Sequence, residues 1–196
     1  MDNIIPVLYR DYGLYVNHFR MFPLEIDGLR PVERRILMSA YQVARERFVK
    51  SAKIDGHTIA NFHPHGSVYG TIIQMVLNKH LEGQGAWKVK WGTKPAEAAA
   101  MRYTECKIAR KTLDLAFQLI DYVPMIEAEA DKYSKEPVFL STMFPMCLLG
   151  VEPIQGIGFG FRTNIPCYHL EDLYKRLMYL LKKTKEKPTI KPITDC

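Results

Sequence analysis

The sequence has few cysteines, no long apolar run and no complete glycine-rich phosphate motif, and each shortage closes off a class of function. Its four cysteines (Cys106, Cys147, Cys167 and Cys196) are scattered over 196 residues without CxxC pairing. They form neither a disulfide framework nor a zinc knuckle, and they read as reduced thiols of a cytosolic protein. The longest apolar stretches, near Met143–Leu149 and Leu177–Leu181, fall far short of the about 20 residues that a membrane span requires. The first ten residues, MDNIIPVLYR, place an acid at position two and no basic segment ahead of an apolar block, so they do not read as a secretory signal. GxGxxG spacing is missing and no Walker lysine–serine pair occurs, so this chain is not expected to cradle ATP. The glycines of QGIGFGF read instead as close backbone packing. No internal repeat is found, and only the basic, proline-bearing tail KKTKEKPTIKPITDC has a biased composition.

What is present is a globular composition, 47% hydrophobic and 24% charged, long enough for one domain or one domain plus part of another. The formal net charge of +6 suits a polyanionic partner such as nucleic acid, although an excess of this size does not by itself require one.

The hydrophobic spacing predicts a first helix over Asp11–Phe22, followed by a turn in PLEIDGLRP. Pro31 suits the first position of a second helix, and Val32, Ile36, Leu37, Ala40, Tyr41 and Ala44 recur at helical spacing through Pro31–Val49. Glu33, Arg34, Arg35 and Gln42 lie off that stripe and leave one face for a partner. Helices over Asp55–Phe62 and Ser67–Asn78, broken by Pro64 and Gly66, form a helix-turn-helix pattern. AWKVKW alternates as a half-exposed strand would, with Trp87, Val89 and Trp91 on one face and Lys88 and Lys90 on the other. Helical periodicity returns over Thr104–Ile120 and again over Leu170–Leu181. The fold class expected is α+β, rich in helix.

Two stretches carry candidate chemistry. FHPHG sets His63 and His65 beside a helix start, where free N–H groups favour a phosphate. Two histidines without a nearby cysteine or carboxylate at ligand spacing do not close a zinc shell, so no metal site is expected in this chain. In AAAMRYTE, Met101 and Tyr103 either pack inward with Arg102 in water, or Tyr103 is a nucleophile and Arg102 steadies the anion it attacks. Basic residues gather ahead of both stretches: Arg20, Arg30, Arg34, Arg35, Lys50 and Lys53, then Lys88, Lys90, Lys94 and Arg102. Together with a helix-turn-helix they resemble a track for a duplex backbone.

DGLRPVERRIL, KSAKIDGHTIANFHPHG, EGQG, AAAMRYTE, KEPVFLSTMFPMCLL and GIGFGFRTNIP occur in the order and approximate spacing of the breakage-reunion subunit of type IIA DNA topoisomerases, and the chain resembles that family from about residue 10 onward. The resemblance implies a winged-helix DNA-gate domain over 25–145, preceded by a helical arm (1–24) and followed by the start of a tower-like region (146–196). It implies that Tyr103 attacks a backbone phosphorus and forms a transient 5′-phosphotyrosyl bond, permitting strand passage in an ATP-dependent type II topoisomerase. A free tyrosine ionises near pH 10, so neighbouring charge matters. Arg102 and His63 carry over as catalytic partners, Arg102 balancing charge on the phosphoryl group and His63 in a hydrogen-bonding role in that transition state. Arg20, Arg30, Arg34, Arg35, Lys50, Ser51 and His65 carry over as DNA contacts, and Ile165 as a wedge between bases.

The same resemblance implies a homodimer on double-stranded DNA, with Mg²⁺ held by the TOPRIM domain and ATP hydrolysed by the ATPase domain of a partner subunit. The chain reads as a truncated piece that ends before the tower is complete and is inactive without that partner. The alternative is a winged-helix fragment that binds DNA and cleaves nothing. Three features depart from the family: SVYG after HPHG is two residues short and lacks the usual acid, the loop after GQG is longer, and Arg162 replaces a small residue.

Overall fold

The computed structural model describes residues 4–89, 97–182 and 188–193. Helix α1 (Ile4–Val16) runs into a π-turn at Asn17–Met21, so the first helix begins earlier than its apolar spacing predicts. Helix α2 (Pro31–Val43) starts at the expected proline. Its entry is capped by the Glu33 carboxylate, which accepts from the Arg30 backbone N–H at 2.8 Å. The helix stops six residues short of the predicted Val49, and Val49–Lys50 becomes strand β1. Helices α3 (Ser51–Asn61) and α4 (Tyr69–Leu77) follow, joined by the FHPHGS turn, as the helix-turn-helix pattern predicts.

Strand β2 (Leu81–Gln84) and strand β3 (Glu105–Ile108) complete a three-stranded antiparallel sheet of order β1-β3-β2. The expected helix over Thr104–Ile120 is therefore split into β3 and a short α5 (Arg110–Ala116). Cys106 and Ile108 are both buried, so a period of two operates where the longer helical spacing concealed it. Three helices backed by this small sheet make the expected winged helix, and the segment between β2 and β3 is the wing. Within it Trp87 is buried and Val89 bridges to Glu97, while Lys88 points outward to an ion pair with Glu152. Lys90, Trp91 and Lys94 lie outside the described residues.

Leu29, Ile36, Leu37, Ile54, Phe62, Ile72, Leu81 and Ile108 form the centre of one core that also takes in Leu140 and Met146. Beyond it come hairpin β4 (Met125–Glu127) and β5 (Lys135–Pro137), hairpin β6 (Ile154–Ile157) and β7 (Arg162–Ile165), and helix α6 (Leu170–Lys182). The β6–β7 turn docks on α1. Asn17 donates to the Phe159 carbonyl at 3.0 Å and accepts from its N–H, and the Phe159 ring meets Tyr9 edge-on at 4.7 Å.

Asp27 ties the segments together. Its carboxylate, fully buried, accepts from the backbone N–H of Leu29 and Leu140 and from both arms of Arg34 at 2.7 and 3.1 Å. Its carbonyl accepts from Met146 N–H at 2.7 Å. Gly28, at φ 67°, passes so close to the Pro145–Met146 backbone that a Cβ would stand 2.6 Å from the Met146 nitrogen. The DGLRP motif is thus a structural knot.

Candidate functional site

The candidate site residues fall into two groups of side chains. The first surrounds the FHPHG turn. Arg35, on α2, donates to Glu136 through Nε at 2.6 Å and Nη2 at 2.9 Å, to Glu129 through Nη1 at 2.9 Å, and to His63 Nδ1 at 3.0 Å. His65 Nε2 meets the other oxygen of Glu129 at 2.7 Å. Tyr15, Phe19, Arg20, His63, His65 and Arg35 line a common cavity of about 360 Å³.

The protonation pattern follows from these contacts. A guanidinium only donates, so His63 Nδ1 must accept, and a neutral ring then carries its proton on Nε2. Burial, then the Arg35 charge and that of His65, push His63 down to about 4, with Glu129 opposing them. His63 is a neutral donor at physiological pH. Burial disfavours the charge on Arg35, but the hydrogen bonds and charges of Glu136 and Glu129 outweigh it and raise its pKa. Burial raises Glu129, and Arg35 and His65 more than reverse this, leaving it lowered.

The second group is on the wing. Tyr103 is 64% exposed, which excludes the inward-packed reading, and the Arg102 guanidinium lies over its ring at 4.7 Å. Its N–H closes a tight turn onto the Ala100 carbonyl at 2.8 Å. The next residue, Thr104, is completely buried and anchors the turn to Ser51. Gly85 of EGQG takes φ 105°, and a Cβ there would stand 3.2 Å from the Tyr103 carbonyl oxygen. That glycine lets β2 leave beneath the tyrosine.

Other predicted contacts divide into exposed and internal ones. Arg20 is exposed and lies 5.8 Å from the Tyr15 ring, and Lys50 is exposed with an ion pair to Glu105. Arg30 is mostly covered and paired with Glu33. Ile165 sits half-buried opposite Ile154 in the β6–β7 hairpin. Two expectations are corrected. Glu33 and Arg34 do not lie on an open face of α2: both are buried, and Arg34 is committed to Asp27 and the Leu29 carbonyl. Ser51 is likewise fully buried and bonds to Thr104, behind the wing instead of on its surface.

Tyr103 is not among the residues lining the His63 cavity. Sequence reasoning assigned no role to Glu129, Glu136, Tyr69 or Thr104. The acidic run EAEADKYSKEP was the available signal for the first two. Among the described residues no group of three or more His, Cys, Asp or Glu side chains could hold a metal ion, and no helix is long and apolar enough to cross a membrane.

Known proteins similar to this chain are A subunits of DNA gyrase and topoisomerase IV. The A subunit of DNA gyrase from Campylobacter jejuni is 36% identical over 195 residues, covering 92% of this chain and 22% of the relative. The A subunit of DNA topoisomerase 4 from Bacillus subtilis is 36% identical over 187 residues, covering 88% and 22%. Its gyrase counterpart from Neisseria gonorrhoeae is 34% identical over 187 residues, covering 90% and 20%. The chain therefore spans about a fifth of the length of the curated relatives it matches. The family model for the A subunit of DNA gyrase/topoisomerase IV matches residues 20–193. With its winged helix, exposed Arg-Tyr pair and histidine cavity, this chain belongs to the family of DNA gyrase/topoisomerase IV A subunits.

Proposed function

We propose that the chain is the DNA cleavage-religation domain of a type II topoisomerase, with Tyr103 as the nucleophile. The observation that carries this reading is the solvent-facing Tyr103 ring, capped by Arg102 on a turn whose next residue is locked into the interior. A tyrosine kept for packing would be covered; this one is presented.

In the reaction the Tyr103 oxygen attacks a backbone phosphorus and the 3′-oxygen of the neighbouring nucleotide leaves, giving a 5′-phosphotyrosyl bond. Arg102 balances the charge that builds on the phosphoryl oxygens, and the Nε2–H of His63 donates a hydrogen bond to them. Religation is the reverse attack by the 3′-hydroxyl, so the bond energy is retained. In a homodimer each chain brings one such tyrosine to the duplex, and the paired tyrosines cut opposite strands. Arg20, Arg35 and Lys50 supply charge for the backbone of the duplex, and His65 a hydrogen-bonding ring. Arg34 and Ser51 act behind that surface, and Ile165 wedges between bases. Mg²⁺ and ATP belong to a partner protein in this reading, within the cytoplasm.

The test is a covalent-complex assay with the Mg²⁺-binding partner, Mg²⁺ and plasmid. Protein-linked DNA should form with the wild-type chain and disappear in Tyr103→Phe. Linkage that persists in that variant would remove Tyr103 from the mechanism.

A further inference from the structure

Behind Tyr103 runs a line of hydroxyl groups that the cleavage chemistry does not use. Tyr69 Oη lies at hydrogen-bond distance from the Ala99 carbonyl and 3.0 Å from Thr104 Oγ1. Thr104 Oγ1 is 2.8 Å from Ser51 Oγ, which is 3.6 Å from Cys106 Sγ. The Ser51 N–H also donates to the Thr104 carbonyl at 3.0 Å.

The donors can be assigned. A carbonyl only accepts, so Tyr69 gives its single proton to Ala99 and must accept from Thr104. Thr104 then accepts from Ser51, and Ser51 from the Cys106 thiol. Burial pushes that thiol up to about 11, with the Ser51 contact opposing it, so it keeps the proton the line requires. The order is one-directional and ends at Ala99.

Ala99 and Thr104 are the two ends of the turn that displays Tyr103, and the Tyr69 hydroxyl is bonded to both. We infer that Tyr69, acting through Thr104, is a positioning residue that clamps this turn and so fixes where the Tyr103 nucleophile stands. Tyr69 belongs to the first turn of α4, next to Ser67 and Val68, which line the histidine cavity. One side chain thereby ties the wing to the first turn of α4, which follows directly on the FHPHG turn. The inference rests on Tyr103 being the nucleophile, and its test separates the two.

Three variants decide it: Tyr69→Phe, Thr104→Val and Thr104→Ser. With the partner subunit, Mg²⁺ and saturating duplex, the single-turnover rate of covalent linkage should fall at least about tenfold in Tyr69→Phe and Thr104→Val, since small misplacements of a reacting group are costly. Thr104→Ser, which keeps the hydroxyl, should restore it. Duplex affinity measured by fluorescence anisotropy should stay within about twofold of wild type in all three, as expected where ground-state binding is untouched. Wild-type rates in Tyr69→Phe, or equal losses of rate and affinity, overturn the clamp. The chain alone gives an independent reading: amide exchange at Tyr103 should accelerate at least about tenfold in Tyr69→Phe while α2 amides stay unchanged. Unchanged exchange at Tyr103 defeats the clamp whatever the DNA assay shows. An accelerated amide with no DNA linkage even in wild type defeats the cleavage reading and leaves the clamp standing.

Discussion

Lowering the pH from 7.5 to 5 perturbs His63 in a way that the structure makes quantitative. Burial and the adjacent Arg35 guanidinium hold His63 at about 4 when folded, against 6.5 for an ordinary imidazole. A depressed histidine favours the native state above its unfolded pKa, and that advantage is lost as the pH falls from 6.5 toward 4. At pH 5 the unfolded ring is almost fully protonated and the folded ring is not, which would cost about 2 kcal/mol at 1.36 kcal/mol per pKa unit. His63 is only half-buried, so solvent screening reduces this to about 1 kcal/mol. His57 and His80 are depressed as well, so the comparison must be with His63→Gln, which removes only this titration. Urea unfolding at the two pH values should show the wild type losing about 1 kcal/mol more than His63→Gln. Proton NMR should find the His63 ring neutral down to pH 5. A ring that titrates near 6.5, or equal stability losses in the two proteins, would refute the burial and the Arg35 contact that hold His63 neutral.

Two further outcomes follow from the same contacts. Arg34→Ala strands the Asp27 carboxylate in the interior, and losing one partner of a buried pair costs about 3–5 kcal/mol. Urea unfolding checks this, and a loss under about 1 kcal/mol would mean that Asp27 is not the knot described. Glu129 occupies Arg35 and His65 where a phosphate would compete for them. Glu129→Gln should therefore bind duplex about two- to tenfold more tightly, roughly the worth of one or two partly exposed ion pairs. Weaker binding would make Glu129 an organiser of the site instead of a competitor.

Much of the fold was legible because its signals are local. Pro31 with apolar residues at helical spacing announced α2, and Pro64 and Gly66 marked the break between α3 and α4. β3 was hidden because Cys106 and Ile108 fit both a strand alternation and a longer helical stripe, and only pairing with residues 49–50 and 81–84 decides between them. The site divided the same way. Motif resemblance singled out Tyr103, Arg102 and His63, whose roles are proposed above. It could not separate Arg34 from Arg35, since adjacent residues on a helix point about 100° apart and the distant partners Asp27 and Glu136 determine their roles. Ser51 reads as a surface polar residue next to a lysine, and its burial follows from a threonine 53 positions away.

The latch between Asn17 and Phe159 joins positions 142 apart in sequence. During synthesis at about 5–20 residues per second, that gap lasts on the order of 7–28 seconds. For that interval Tyr9 and Tyr12 lack the Phe159 ring that later meets both of them edge-on. The latch therefore closes only after Phe159 has been made, and until then the π-turn at Asn17 lacks the backbone partner that holds it in the folded chain.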